Sequence, residues 1–110
     1  MTTEFKVLDQ ATPVAAVLTN AYEVPAGKQA VCSSIVVCNR DAGVATFRLA
    51  VAVAGAVDHV KQYVAFNSPL VGNDSIALTI GMTLGETDVV RVYASTEFLS
   101  FSIFGEEITP

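Results

Sequence analysis

The larger apolar residues of this chain fall on every second position in one segment after another. Val31, Ile35 and Val37 follow that spacing, as do Phe47, Leu49, Val51 and Val53, then Ile76, Leu78 and Ile80, then Leu99, Phe101 and Ile103. A period of two puts alternate side chains on opposite faces of an extended strand, so each run predicts a strand with one buried face. Turn residues stand between the runs. In Pro25-Ala26-Gly27-Lys28 the proline sets φ at the second position and the glycine supplies a positive φ two residues on. Asn39-Arg40-Asp41-Ala42-Gly43, Gly55-Ala56-Val57-Asp58, Asn67-Ser68-Pro69 and Gly72-Asn73-Asp74 mark further turns.

Eight strands are predicted, over residues 5–10, 14–24, 29–39, 44–54, 59–66, 75–80, 88–95 and 97–107, with 81–87 as a longer connection. In residues 29–39, Val31, Ser33, Ile35 and Val37 take one face and Cys32, Ser34, Val36 and Cys38 the other. Both faces are small or apolar, as in a central strand covered on both sides. The cluster at residues 39–43 reads as a hairpin into the next strand. Residues 44–54 are rich in alanine, the best helix former, yet the period-two placement of the large residues and the absence of caps favour a strand. Short strands at this spacing, with a turn between each pair, predict an all-β fold: a single antiparallel β-sandwich of jelly-roll type spanning residues 1–110.

Composition sharpens the picture. Charged residues make up 15% of the 110 and apolar residues 52%, with a mean hydropathy of +0.51. An average soluble protein carries roughly 25% charged residues, and a small domain with its high surface-to-volume ratio should carry more. The deficit predicts assembly, with apolar faces buried between subunits. Net charge is −5. The six basic residues, Lys6, Lys28, Arg40, Arg48, Lys61 and Arg91, are scattered, and Tyr63 and Phe66 are not interleaved with a basic patch. Counterion release needs clustered cations, so nucleic acid is not an expected partner. The first residues lack a basic region followed by an apolar run. The longest charge-poor stretch, residues 49–57, is far short of the ~20 residues that span a bilayer. The expectation is a protein made and used without membrane insertion.

Little in the chain is equipped for chemistry. His59 follows Asp58, but neighbours on a strand point to opposite faces, so Asp58 is badly placed to orient the imidazole for base catalysis. Asp41, Asp58, Asp74 and Asp88 stand in or beside turns, where aspartate bonds nearby amides, and they lack the alternate spacing of a calcium loop. Glu106 and Glu107 are adjacent and face apart, so they cannot act as a carboxylate pair. Gly81 and Gly85 open no helix and imply no phosphate cradle. Cys32 and Cys38, six residues apart on one strand, lie about 20 Å apart and cannot bond each other. They read as small buried hydrophobes. No catalytic, cofactor-binding or metal-binding residue is assigned, and no cofactor is expected. A carbohydrate-binding module is a lesser reading: the chain has no tryptophan, and Tyr22, Tyr63 and Tyr93 lie within strand-like segments.

The last strand is different. Leu99, Phe101 and Ile103 form one face, while Phe98 and Phe104 flank Ser100 and Ser102 on the other. A solvated outer face does not normally carry two phenylalanines, so either this strand is central or its second face meets another subunit. The second reading is favoured, with Phe98, Ser100, Ser102 and Phe104 as the expected interface with another subunit or a coat protein.

Two segments carry a family resemblance: Leu18-Thr19-Asn20-Ala21-Tyr22-Glu23-Val24-Pro25-Ala26-Gly27-Lys28, and Val31-Cys32-Ser33-Ser34-Ile35-Val36-Val37-Cys38-Asn39-Arg40. Together they resemble a small β domain of tailed-phage virion proteins, in which a VPAG turn precedes a Val/Ser strand. Residues 46–51, 78–84 and 88–95 are similar too, so the resemblance runs along nearly the whole chain. It implies a non-enzymatic virion structural protein of the capsid decoration or cement type. It further implies a homo-oligomer, a dimer or trimer, that sits on the capsid exterior, touches the major capsid protein or another virion protein, and is synthesised in the host cytoplasm. A tail, neck or fibre component is the alternative within virions. No catalytic residue carries over.

Overall fold

A computed structural model describes residues 1–110. The chain forms nine strands: β1 (Thr2–Ala11), β2 (Thr19–Glu23), β3 (Gln29–Asn39), β4 (Ala45–Ala52), β5 (Tyr63–Leu70), β6 (Ser75–Leu78), β7 (Met82–Leu84), β8 (Val89–Ala94) and β9 (Leu99–Thr109). All pairings are antiparallel. One sheet runs β1-β9-β3-β6, with β7 also on β3; the other runs β2-β8-β4-β5. Strands β6 and β7 pair with successive parts of β3 and so share one position in the sheet, with Gly81 at a φ of 66° between them. With β6 and β7 taken together, eight positions remain. First pairs with last, second with seventh, third with sixth and fourth with fifth, which is a jelly roll. The all-β sandwich predicted from periodicity is the fold observed.

The core lies between the sheets, where inward residues interdigitate. Phe47 of β4 meets Phe101 of β9 edge to face, ring centroids 6.3 Å apart, and Ile35, Leu49, Val92, Leu99 and Ile103 are fully buried around them. The alternation of 47/49 and 99/101/103 therefore does what it predicts.

Several local expectations are corrected. Residues 39–43 do not make a hairpin: β3 and β4 belong to different sheets, and the turn crosses between them. The Asn39 side chain holds that turn from within, its amide donating to the carbonyls of Gly43 at 2.9 Å and Leu70 at 3.1 Å. The strand expected at 14–24 is only Thr19–Glu23. Pro13 has no N–H to offer a ladder, and Ala16 turns at a φ of 60° so that its N–H can reach the Ala94 carbonyl. The strand expected at 59–66 begins at Tyr63, because His59 caps a short 3-10 turn, Val60–Gln62, that draws Gln62 inside. Val53 and Ala54 leave β4 in a second such turn. The connection expected at 81–87 contains β7.

One bulge reverses a face. The β3–β9 register shifts between Cys32 and Ser34, so the extra residue changes which parity points inward. Ala30 and Cys32 are buried before the shift, Ile35 and Val37 after it. Cys32 and Cys38 thus lie on opposite faces, not the same one. Both are free thiols; Cys32 is buried and Cys38 half-buried.

Candidate functional site

Strand β9 positions the expected interface residues. Leu99, Phe101 and Ile103 point into the core, which turns Ser100, Ser102 and Phe104 to the outer face of the five-stranded sheet. Phe104 is half-buried, aligned with Val7 on β1 and Ser34 on β3. Ser100 accepts from Arg40 Nε at 2.8 Å, and Ser102 accepts from Gln10 Nε2 at 3.3 Å. Phe98 is not on the strand. It lies in the turn before β9, exposed, with its carbonyl held by the Arg40 N–H. Phe98 and Phe104 are therefore not brought together.

The register brings other residues to this face that the sequence reading missed. Phe5 aligns with Glu106 from one side and Val31 aligns with it from the other; Val36 aligns with Ser102. Phe5 is 83% exposed. Beside it Gly105 leaves a shallow hollow lined by Phe5, Val31, Ser33 and Glu106. A Cβ on Gly105 would fall 2.0 Å from the Val31 carbonyl oxygen, so only glycine lets β3 bulge there. The face as a whole is apolar and hydroxyl-bearing, with few charges. The signal for Phe5 was its alternation with Val7, which a short amino-terminal segment leaves without context.

At one end of the sandwich an ionic cluster joins the sheets. Glu107 of β9 is buried at 4% exposure. It accepts from the Tyr22 hydroxyl at 2.5 Å and pairs with Lys6 Nζ at 2.9 Å and Lys28 Nζ at 3.6 Å. The Tyr22 hydrogen bond and then the Lys6 ammonium hold the Glu107 carboxyl below its ordinary value. Burial first, then the Glu107 carboxylate, pushes the Tyr22 hydroxyl up. The same carboxylate raises Lys6. Reading Glu106 and Glu107 as facing apart is right; what it misses is that the inward one is fully paired.

The other sheet carries a different outer face. Arg48 of β4 lies between the rings of Tyr93 and Phe66, its guanidinium carbon 4.3 Å from each centroid, with Tyr63 at 5.9 Å. Tyr63 and Phe66 pack edge to face at 4.9 Å. Arg48 Nε donates to Asn67 Oδ1 at 2.7 Å. Farther along the same face Arg91 is buried beneath the β4–β5 connection, bonded to Asp58 at 2.6 Å, Asn20 at 2.8 Å and the Gly55 carbonyl at 3.3 Å.

The residues weighed for chemistry have structural employment. His59 Nδ1 accepts from the Lys61 N–H at 3.1 Å, and Asp58 serves Arg91 rather than the imidazole. Asp41 and Asp74 each accept from the next amide, and Asp88 accepts from Gly85 and Ala54. These three make turns, as expected; Asp58 makes an ion pair instead.

The molecule is thus a jelly-roll domain with two contrasting outer faces. No protein-family model matches the chain, and no curated protein matches it. Among solved structures it is similar to a chain in the structure of the infectious bursal disease virus Gt strain, with a TM-score of 0.51 and 11% sequence identity. The match covers 96% of this chain and 30% of the other. At that identity the likeness is one of fold.

Proposed function

We propose that this chain is a non-enzymatic virion structural protein, of the decoration or cement type found in tailed phages. Its copies associate and bind a coat-protein shell through the outer face of the β1-β9-β3-β6 sheet. The carrying observation is that face: Phe5 and Val31 flank Glu106, Val7 lies beside Phe104 and Val36 beside Ser102, on a sheet surface with few charges. Exposed apolar area of this kind favours an interface over solvent. The phage motif residues support the phage assignment, and the jelly-roll likeness to a chain from a virus structure supports a virion role in general. The work done is mechanical, since apolar area buried between subunits resists their separation.

Light scattering and circular dichroism on Phe5→Ser and Phe104→Ala test the interface. Both variants should lose assembly while keeping the wild-type spectrum and most of the thermal stability. Variants that assemble normally, or a Phe5→Ser that unfolds as readily as it dissociates, overturn the assignment. A phage lacking the gene separates the two virion roles: fragile heads support a cement protein, whereas intact heads without tails or adsorption support a tail, neck or fibre component.

A further inference from the structure

We propose that Arg48, clamped between Tyr93 and Phe66, is a receptor for an aspartate or glutamate side chain of a different protein. Three observations converge on it. Strands β4, β5 and β8, which surround the guanidinium, contain no aspartate or glutamate, although the chain as a whole has 11. Arg91, the other cation on this face, is already neutralised by Asp58, whereas Arg48 has no ion-pair partner. Its Nε is fixed by Asn67 and its guanidinium carbon sits over the rings of Phe66 and Tyr93, yet neither terminal nitrogen has a hydrogen-bond partner. An arginine so held has lost its rotational freedom before any ligand arrives. It presents the planar edge that pairs with a carboxylate through two parallel hydrogen bonds.

The same geometry argues against the other occupants. A sugar would stack on free aromatic faces, and here Arg48 already covers one face each of Tyr93 and Phe66. Of the 11 acids that a second copy would bring, Asp9, Asp41, Asp74, Glu86 and Asp88 already accept from backbone amides and Glu4, Asp58 and Glu107 already face cations, which leaves Glu23, Glu97 and Glu106. The chain's net negative charge does not forbid an acidic partner, because charges more than about 8 Å away are largely screened at physiological salt. This site is independent of the virion reading and lies on the opposite sheet from the interface proposed there.

Nitrogen-15 NMR of the arginine Nε–H groups tests it. The Arg48 signal, protected by Asn67, is followed as the full chain is titrated with N-acetyl-triglutamate amide, with N-acetyl-triglutamine amide and with maltohexaose. The triglutamate should give a saturable shift at Arg48, with binding at least tenfold weaker for the triglutamine. Arg48→Lys should weaken triglutamate binding at least fivefold and Tyr93→Leu at least threefold; the second variant keeps the test open if the first does not fold by circular dichroism. Equal response to both peptides, an unchanged affinity in the variants, or a shift with maltohexaose alone overturns the carboxylate receptor. Self-association that depends on Arg48 overturns the choice of partner.

Discussion

The Tyr22 hydroxyl and the Glu107 carboxylate meet at 2.5 Å across the end of the sandwich, tying β2 of one sheet to β9 of the other. With the Asn39–Leu70 hydrogen bond between β3 and β5, it gives sheets that otherwise pack through apolar side chains a directional link. Tyr22→Phe keeps the buried ring and removes only the donor. Lys6 and Lys28 remain to neutralise Glu107, so the loss should be that of one hydrogen bond to a charged group, about 1.5–3 kcal/mol. Urea denaturation measures it. A change below ~0.5 kcal/mol would mean that the carboxylate finds an equivalent donor, on the scale of ordinary surface substitutions.

The same cluster sets the pH range of stability. Glu107 titrates below its ordinary value in the folded protein, so its contribution is complete above the unfolded value of about 4.3 and is lost as pH falls through the folded one. Lys6 and Tyr22 titrate above their ordinary values, so their contributions are complete below about 10 and are lost as pH rises through the folded ones. A plateau between about pH 5 and 9 follows from these directions. Glu107→Gln should lower the plateau and flatten the acid limb. Urea midpoints measured from pH 2 to 9 decide it, and an acid limb as steep as wild type would assign acid unfolding to other carboxylates.

These contacts also show what was legible in the sequence. Phe47, Leu49, Phe101 and Ile103 announced the two sheets because their alternation runs uninterrupted along strands that lie at the centre of each. The outward turn of Phe104 follows from the same parity. Parity fails at Ser33, where one bulged residue exchanges the faces of Val31 and Cys32, and no local signal marks the slip. Phe98 was grouped with Phe104 by parity alone, which continues past the point where β9 begins. The Arg48 clamp was invisible for another reason: Arg48, Phe66 and Tyr93 come from three strands, and only the sheet order makes them neighbours. Glu107 was hidden because its partners Tyr22, Lys6 and Lys28 are all remote in the chain.

Two glycines are expected to answer differently to the same change. In Gly105→Ala the new methyl would meet the Val31 carbonyl oxygen at 2.0 Å, a backbone atom that cannot swing aside, so β3 and β9 must separate at the bulge. Overpacking of that kind costs about 1–3 kcal/mol or more. Gly27→Ala meets nothing within 4 Å, and its cost is that of a φ of 78° for an L residue, about 1–2 kcal/mol. Thermal melts should place Gly105→Ala clearly below Gly27→Ala. Only Gly105→Ala should also disturb the hollow beside Phe5, seen as a change in hydrogen exchange at Ser33 and Val31. The reverse order would show that the bulge can relax.

The two thiols offer a probe of which sheet face is covered. Burial pushes the Cys32 thiol up to about 11, so at pH 8 roughly one molecule in a thousand carries the thiolate that reacts. Cys38 lies half-buried on the outer face of the five-stranded sheet, aligned with Ser100 on β9 and Ser75 on β6. Treating the unassembled protein with a thiol-exchange reagent should therefore modify one cysteine quickly and the second only at the rate of unfolding. Mass spectrometry should place the fast label on Cys38. Because that residue shares the apolar face with Phe5 and Phe104, association through this face should slow Cys38 labelling at least tenfold and leave Cys32 as before. Association through the Arg48 face would leave Cys38 as reactive as in the isolated chain, so a single labelling experiment distinguishes the two sheets as the assembly surface.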